Sequence, residues 1–206
     1  KLLSVQLASL MQKYHYQQWQ SFKTKTLDRD LVKEIVDALP FSLTQAQKKC
    51  IKAIIENLHE SRPMLRMLQW DVGSGKTVVA AIAAYYVIKQ HGAQVAFLAP
   101  LEVLAQQHYK SIAKILLPLG VRIECITWST PAAQKKHIKS QLAQWNIDVV
   151  IGTHALLQED VEYKNYIDID IINGGVIFHE KSQKQWSMTI SANTLFILHT
   201  YASEKI

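Results

Sequence analysis

Cysteine is scarce in this sequence of 206 residues: Cys50 and Cys125 are far apart, and neither has a CxxC partner. This spacing argues against a disulfide or a metal site and favours two buried thiols in a reducing compartment. No apolar run approaches the ~20 residues that cross a membrane. No signal peptide, internal repeat or low-complexity segment is visible. The chain starts at Lys1 rather than Met, which predicts a fragment or a processed chain.

The composition is that of one medium-sized globular domain. Hydrophobic residues make up 49% of the chain and charged residues 19%, which excludes a disordered protein. The net charge is +6 and the pI about 9.2. A basic excess of this size permits nucleic-acid binding without requiring it.

The first 39 residues predict a helical arm. Apolar residues recur there at helical spacing, and Pro40 ends the pattern. They are Leu3, Leu7, Leu10 and Met11, followed by Leu31, Ile35 and Leu39.

From residue 64 onward, short apolar runs alternate with amphipathic stretches, which predicts a parallel sheet with helices on both faces. Gly92 and Gly120 fit the positions that follow helix ends, and Thr130 with Pro131 fits a helix start. The predicted strands are 64–69, 93–100, 121–127 and 147–153, with two less regular strands at 166–178 and 194–201.

The stretch GSGKT, residues 73–77, follows a predicted strand and opens a long helix, which is the context of a phosphate-binding loop. Its glycines let backbone N–H groups turn toward phosphate oxygens, and the helix start adds partial positive charge. Lys76 is placed to reach the terminal phosphates of ATP, and the Thr77 hydroxyl to bind Mg²⁺. Trp70 stands where such loops open on a small residue, which predicts weakened ATP binding.

Five blocks in order give the chain a resemblance to the first motor domain of RecG-type branch-migration helicases, in helicase superfamily 2. The resemblance covers about residues 1–164. Three blocks carry a replacement: Trp70 for Gly, Leu101 for Thr, and Trp128 for Gly. The blocks are FSLTQAQ with Phe41 and Gln47 as an adenine-sensing Q motif, the phosphate loop, APLEVLAQQHY at 99–109, ITWST at 126–130, and VVIGTHALLQEDVEY at 149–163.

This resemblance implies an α/β fold: a RecA-like P-loop NTPase domain over residues 40–206, divergent from 165, preceded by the helical arm over 1–39. It implies ATP and Mg²⁺ as cofactors, duplex or forked DNA as a sequence-independent partner, and a bacterial cytoplasmic location. It also implies a wedge domain and a second motor domain as partners in the intact helicase. The implied nucleotide contacts are Phe41, Gln47, Gly73, Ser74, Gly75, Lys76 and Thr77.

The same resemblance places DNA-contact candidates on the loops that follow the strands. They are Pro100, Glu102, Thr153 and His154, with Lys110 nearby. The basic cluster at 135–139, KKHIK, is more typical of a solvated helix face than of a DNA patch.

The acidic pair that the family uses to hold Mg²⁺ and activate water has no clear counterpart. One alignment puts Asn173 and Gly174 at the pair, and the other puts His179 and Glu180 there. The catalytic candidates are therefore Lys76 from the phosphate loop and Glu180 from the second alignment. The family's next motif, T-A-T, is also not recovered at 199–203.

The resulting expectation is a fragment of a RecG-type ATP-dependent DNA helicase with impaired hydrolysis. The alternative is a non-catalytic nucleic-acid-binding domain or a non-functional remnant, which two Gly-to-Trp replacements and an irregular tail favour. A small P-loop kinase is disfavoured because kinases lack the Q motif. The presence of the acidic pair would distinguish the helicase interpretation from the non-catalytic alternative.

Overall fold

The computed structural model describes residues 26–60, 64–69, 73–153, 165–172 and 175–182. Its helices are α1 (Arg29–Asp37), α2 (Gln45–Leu58), α3 (Lys76–His91), α4 (Glu102–Leu116) and α5 (Ala132–Ala143), and a 3-10 turn covers Leu117–Leu119. Its strands are β1 (Leu65–Gln69), β2 (Gln94–Leu98), β3 (Ile123–Ile126), β4 (Val149–Gly152), β5 (Asn165–Ile172) and β6 (Gly175–Ser182).

The strands form one six-stranded sheet in the order β1-β6-β5-β2-β4-β3. Pairs β2–β5, β2–β4 and β3–β4 are parallel, whereas β6 runs antiparallel to both β5 and β1. The expected α/β fold with a mostly parallel sheet is therefore confirmed, and β6 is its one reversed strand among the residues described.

The hairpin of β5 and β6 corrects the prediction of a single strand over 166–178. The two strands pair in register from Ile172 with Gly175 to Asn165 with Ser182. Only Asn173 and Gly174 separate them, and Asn-Gly is the dipeptide that most favours a two-residue hairpin loop. The sequence carried this signal. The predicted strand at 194–201 lies outside the described residues.

Two apolar clusters pack against opposite faces of the sheet because side chains alternate along each strand. Val95 and Phe97 of β2 join the larger cluster, which α1 to α4 cover, whereas Ala96 and Leu98 join a smaller one under α5. The smaller cluster includes Ile138 and Leu142 of α5. Helices therefore cover both faces, as predicted, and leave the strand ends for the site.

The described part of the predicted arm packs on the same core. Within α1, Ile35 is fully buried in the larger cluster. The Asp28 carboxylate caps α1 by accepting from the backbone N–H groups of Asp30 and Leu31, and the Asp28 N–H donates to the Tyr86 hydroxyl at 3.1 Å. The end of the arm is thus fastened to α3; residues 1–25 lie outside the described part.

The helix boundaries confirm two predicted caps and correct a third. Gly92 and Gly120 end their helices with φ of 62° and 75°, a left-handed conformation that favours glycine. At the start of α5 the cap is Pro131 rather than Thr130. The Thr130 hydroxyl instead accepts a hydrogen bond from the Thr127 N–H at 2.9 Å, which closes the loop before the helix.

No disulfide joins the two cysteines, and Cys125 is half-buried rather than buried as predicted. Cys50 is buried, and burial together with the nearby carboxylates of Glu102 and Glu124 raises the pKa of Cys125 to about 11. The thiolate is the reactive form, and the raised pKa of Cys125 favours its protonated thiol at neutral pH. Among the described residues, no three side chains form a metal-binding group, and no helix is long and apolar enough to cross a membrane.

A bidentate ion pair ties the sheet edge together, and its removal gives a testable stability change. The Asp148 carboxylate accepts from the Arg122 backbone N–H, Nε and Nη2 at 2.8, 3.0 and 2.6 Å. We expect Asp148→Ala to lower the free energy of unfolding by about 1–3 kcal/mol, because hydrogen bonds to charged groups are stronger than neutral ones. Urea denaturation measures this change.

The matched control is Glu56→Ala, which removes the exposed pair with Lys52 at 3.7 Å. A surface pair at this helical spacing contributes about 0.3–0.5 kcal/mol. Equal destabilisation by the two substitutions would show that the hydrogen-bonded geometry at Asp148 adds nothing.

Candidate nucleotide and DNA site

The GSGKT segment forms a tight loop at the amino end of α3. Gly73 and Gly75 both have φ of 84°, and Gly75 caps the helix without any side-chain hydrogen bond. The first turn of α3 contains no acidic residue. A helix start with an unblocked backbone and positive local field is suited to an anion.

Gln47 links the loop to the segment before α2. Its Nε2 donates to the Ser74 carbonyl at 2.9 Å, and its Oε1 accepts from the Thr44 N–H at 2.9 Å. Thr44 returns the bond, since its hydroxyl accepts from the Gln47 N–H at 3.2 Å, and together they form a capping box. A side chain at Gly75 would collide with the Gln47 amide. The glutamine thus holds the backbone of the phosphate loop.

The loop fits a nucleoside triphosphate with Mg²⁺ on three observations. Its glycines adopt the left-handed conformation that turns N–H groups inward. The Ser74 hydroxyl is buried and has no hydrogen-bond partner among the described residues. Lys76 and Thr77 are the first two residues of α3, both partly exposed.

The two remaining predicted nucleotide contacts, Phe41 and Gln47, differ in how accessible they are to a ligand. Phe41 is 46% exposed, so its ring is accessible beside the start of α2. Both polar atoms of the Gln47 side chain are engaged within the protein, so contact with an adenine edge requires it to exchange partners. Trp70 lies outside the described residues.

The register of the sheet corrects the assignment of Glu180 as a catalytic base. Gly175 pairs with Gln69 at the end of β1 next to the phosphate loop, whereas His179 pairs with Leu65 at the opposite end. Glu180 is therefore five residues along β6 from that edge, about 17 Å at 3.3–3.4 Å per residue. No backbone position in β6 brings Glu180 to the loop.

The other alignment of the acidic pair agrees with this topology. β5 runs parallel to β2 and ends at Ile172, directly before Asn173 and Gly174. Those two residues lie outside the described part, but the strand that leads to them occupies the place next to β2. Neither residue is a carboxylate, so this alignment supplies no acidic pair after β5.

Three neighbouring parallel strands end level and present their following loops on the same side. Leu98 pairs with Gly152, and Ile126 pairs with Gly152 from the other side. The Ala99 N–H donates to the Gly152 carbonyl at 2.8 Å. The loops that contain the DNA-contact candidates therefore share one edge, as the family resemblance implies.

Glu102 joins two of these loops. Its carboxylate accepts from the Ser129 hydroxyl, so the loop after β2 is tied to the loop after β3. The hydrogen bonds from Ser129 and then Thr127 lower the pKa of Glu102, and Lys135 adds a smaller electrostatic effect in the same direction. A carboxylate repels phosphate, so the geometry gives Glu102 a positioning role.

The remaining candidates divide between the edge and the rest of the surface. Pro100 is exposed at the edge, and Thr153 is half-buried directly after β4. Lys110 is exposed but lies eight residues into α4, about 12 Å along the helix axis from its start. His154 lies outside the described residues.

Two contacts were missed from the sequence. The reciprocal bonds of Thr44 and Gln47 follow the T-x-x-Q pattern of a capping box, which was readable. The Lys135 ammonium donates to the Trp128 carbonyl at 2.9 Å and lies 5.5 Å from the Trp128 ring centroid. Residues seven apart across a helix start carry no such signal.

Comparison with known proteins finds a match between residues 44–180 and the family described as DEAD/DEAH box helicase. The matched range contains the phosphate loop, the shared edge and all six strands as far as Glu180.

Individual relatives with similar sequences are ATP-dependent DNA helicases named RecG. The chain is 42% identical over 172 residues to the ATP-dependent DNA helicase RecG of Aquifex aeolicus, covering 82% of the chain and 22% of the relative. It is 43% identical over 141 residues to the protein of that name from Thermotoga maritima, covering 68% and 18%. The chain thus spans about a fifth of the length of these relatives.

A solved structure gives the same likeness in three dimensions. It is described as RecG bound to a three-way DNA junction, and it superposes with a TM-score of 0.72 at 39% identity. The match covers 80% of this chain and 22% of that one.

Proposed function

Because the chain belongs to the DEAD/DEAH box helicase family, we propose that it is the ATP-binding motor domain of a RecG-type ATP-dependent DNA helicase. In the intact helicase, ATP hydrolysis would drive translocation on duplex DNA and remodel forks. In this chain the nucleotide and DNA surfaces are retained, and hydrolysis is impaired. The proposal includes the bacterial cytoplasm as location and the wedge and second motor domains as partners.

The observation that carries the proposal is the bond from Gln47 to the Ser74 carbonyl. It connects the Q-motif segment to the phosphate loop across 27 positions of sequence. A chance glycine-rich turn would not be held by a side chain that the family resemblance assigns to adenine recognition. The two glycines with φ of 84° complete the cradle.

Bound Mg²⁺ would neutralise phosphate charge, and the chain's own residues hold and orient the triphosphate. Backbone N–H groups around Gly73 and Gly75 would bind the phosphate oxygens, and Lys76 would supply a cation at the terminal phosphates. Thr77 would offer its hydroxyl to the metal. Phe41 would contact the base.

The DNA surface is the shared edge of loops after β2, β3 and β4. Pro100 and Thr153 lie on it, and Glu102 holds two of its loops in a fixed relation. Contacts to the sugar-phosphate backbone carry no sequence information, so binding is independent of sequence. The RecG structure with a DNA junction supports this class of partner.

A second candidate function is nucleic-acid binding without catalysis. The observation in its favour is the pairing of β5, which leads to Asn173 and Gly174 rather than to two carboxylates. ATP binding without hydrolysis would fit this alternative, and measurable turnover would exclude it.

Calorimetric titration of ATP with Mg²⁺ tests the nucleotide site. We expect Lys76→Ala to weaken binding by at least about tenfold, since a charged contact to phosphate contributes 1.5–3 kcal/mol. The matched control is Lys89→Ala, on the same helix at its other end, which should leave the affinity unchanged. Equal affinities for wild type and Lys76→Ala would refute the assignment of this loop.

Duplex binding should be weak and strongly dependent on salt. Phosphate contacts release counterions, so the logarithm of the binding constant should fall linearly with the logarithm of salt concentration, by about 0.9 per contact. Fluorescence anisotropy with a labelled 20-base-pair duplex between 50 and 200 mM salt measures this slope. A flat response, or a preference among unrelated sequences, would contradict a backbone contact.

A further inference from the structure

Trp128 is an aromatic side chain on the surface with no apolar cover. It is 80% exposed among the described residues, although a tryptophan ring is among the largest apolar groups in proteins. Leu101 and Val103, on either side of Glu102, are also exposed. Apolar groups therefore gather along the edge where β2 and β3 end.

The backbone that presents Trp128 is rigid. Thr127 and Thr130 close the turn twice, since the Thr127 N–H donates to the Thr130 hydroxyl at 2.9 Å and the Thr130 N–H donates to the Thr127 carbonyl at 3.2 Å. Ser129, which follows Trp128 in the chain, donates a hydrogen bond from its hydroxyl to the carboxylate of Glu102 in the neighbouring loop. The indole is therefore held out by a fixed loop.

Positive charge lies next to the ring. Lys135 donates to the Trp128 carbonyl and sits 5.5 Å from the ring centroid. A shallow groove along α5 of about 480 Å³ is lined by Ala132, Lys135, Lys136 and Lys139. Glu102 interacts electrostatically with Lys135, and its carboxylate already accepts from Ser129.

An exposed ring beside a lysine groove matches one ligand chemistry closely. Unpaired bases stack on aromatic side chains, and the neighbouring phosphates follow a basic groove. In a duplex the bases already stack on each other, so the ring offers nothing to them. A hydrophobic protein segment would not need three lysines along the groove.

We propose that Trp128 is a stacking platform for one unpaired base of single-stranded DNA, and that the Lys135–Lys136–Lys139 groove of α5 holds the adjoining phosphates. This goes beyond the proposed function, which needs only contacts to a duplex backbone. It requires neither ATP nor the phosphate loop. The two proposals share the class of partner and the edge of the sheet, because Trp128 lies in the loop after β3.

The test compares Trp128→Gly and Trp128→Phe with wild type, without nucleotide, by anisotropy of a labelled 12-nucleotide strand. We expect Trp128→Gly to weaken binding by about 5- to 150-fold, the range that corresponds to one stacked base. Trp128→Phe, which keeps an aromatic face, should lie between. A strand of equal length with an abasic sugar-phosphate backbone should bind wild type and Trp128→Gly equally.

Two further arms separate stacking from charge and from misfolding. For the single strand, Lys135→Gln should reduce the slope of the logarithm of the binding constant against the logarithm of salt concentration by the amount expected for about one phosphate contact. Trp128→Gly should leave that slope unchanged. The thermal midpoint of Trp128→Gly should equal that of wild type, because the side chain is exposed. If the thermal midpoint of Trp128→Gly differs from that of wild type, Trp128→Phe takes its place in the test. Trp128→Phe should then bind the ordinary strand more weakly than wild type does, and the abasic strand equally well.

The proposal is overturned if Trp128→Gly binds the ordinary strand as well as wild type does. It is also overturned if the loss is equal for the abasic strand. A 12-base-pair duplex reports on the proposed function separately: loss of duplex binding with retained, Trp128-dependent strand binding would sink that function and leave the stacking site standing.

Discussion

The 206-residue chain, assayed by itself, should release no phosphate from ATP above background, with or without forked DNA. Hydrolysis needs the phosphates held, Mg²⁺ in place and a base that orients the attacking water. In the proposed site, Lys76 and Thr77 contribute to the first two. Neither candidate alignment supplies a carboxylate for the third role within the part of the chain that the structure describes, since the register puts Glu180 at the far end of the sheet and β5 leads to Asn173 and Gly174.

The expected loss of ATP turnover can be estimated from two catalytic groups, an arginine finger and a base for the attacking water. The family resemblance implies that the intact helicase takes an arginine finger from a second motor domain, which an assay of residues 1–206 by themselves does not supply. Such a finger accelerates related NTPases by about 10³–10⁵, which is roughly 4–7 kcal/mol of barrier at 1.4 kcal/mol per decade. Absence of a base adds to this. Turnover in the isolated chain therefore falls below detection.

Phosphate release is measured with forked DNA in excess, Lys76→Ala serving as the background and the Aquifex aeolicus RecG as the positive control. DNA-stimulated turnover that vanishes in Lys76→Ala would contradict the prediction. It would show that a carboxylate elsewhere in the chain activates water.

The sequence predicted those parts of the fold that local chemistry decides. Alternation of apolar runs with amphipathic stretches located β1 to β4 and the helices between them, and Gly92 and Gly120 marked two helix ends, because each signal lies within a few neighbouring residues. The reversed strand β6 was missed. The Asn-Gly pair at 173–174 signalled it locally, but residues 166–178 were interpreted as a single strand.

The sequence predicted which residues form the candidate site, but not which hydrogen bonds join them. GSGKT and the Q motif could be read directly. That Gln47 donates to the Ser74 carbonyl, and that Glu102 accepts from Ser129, depends on how distant segments pack. The fate of Glu180 depended on strand direction, which a sequence of alternating apolar residues does not encode.

Replacing Gly75 by alanine should weaken ATP binding by about 30- to 150-fold, more than the same change at Gly73. Both glycines have φ of 84°, where an L-residue costs about 1–2 kcal/mol. At Gly75 the new methyl group also collides with the Gln47 amide, while at Gly73 nothing lies within 4 Å of it. Losing the bond from Gln47 to Ser74 adds about 1 kcal/mol.

Gly73→Ala is therefore the matched control, with the backbone cost alone and an expected loss of about 5- to 30-fold, since only the fraction of molecules with a native loop binds. The excess at Gly75 is assigned by a double-mutant cycle with Gln47→Ala. In the Gln47→Ala background the collision is gone, so Gly75→Ala should cost no more than Gly73→Ala does in that background. Calorimetric titration of the six proteins gives the comparison. An excess at Gly75 that persists without the Gln47 amide would show that this side chain does not brace the phosphate loop.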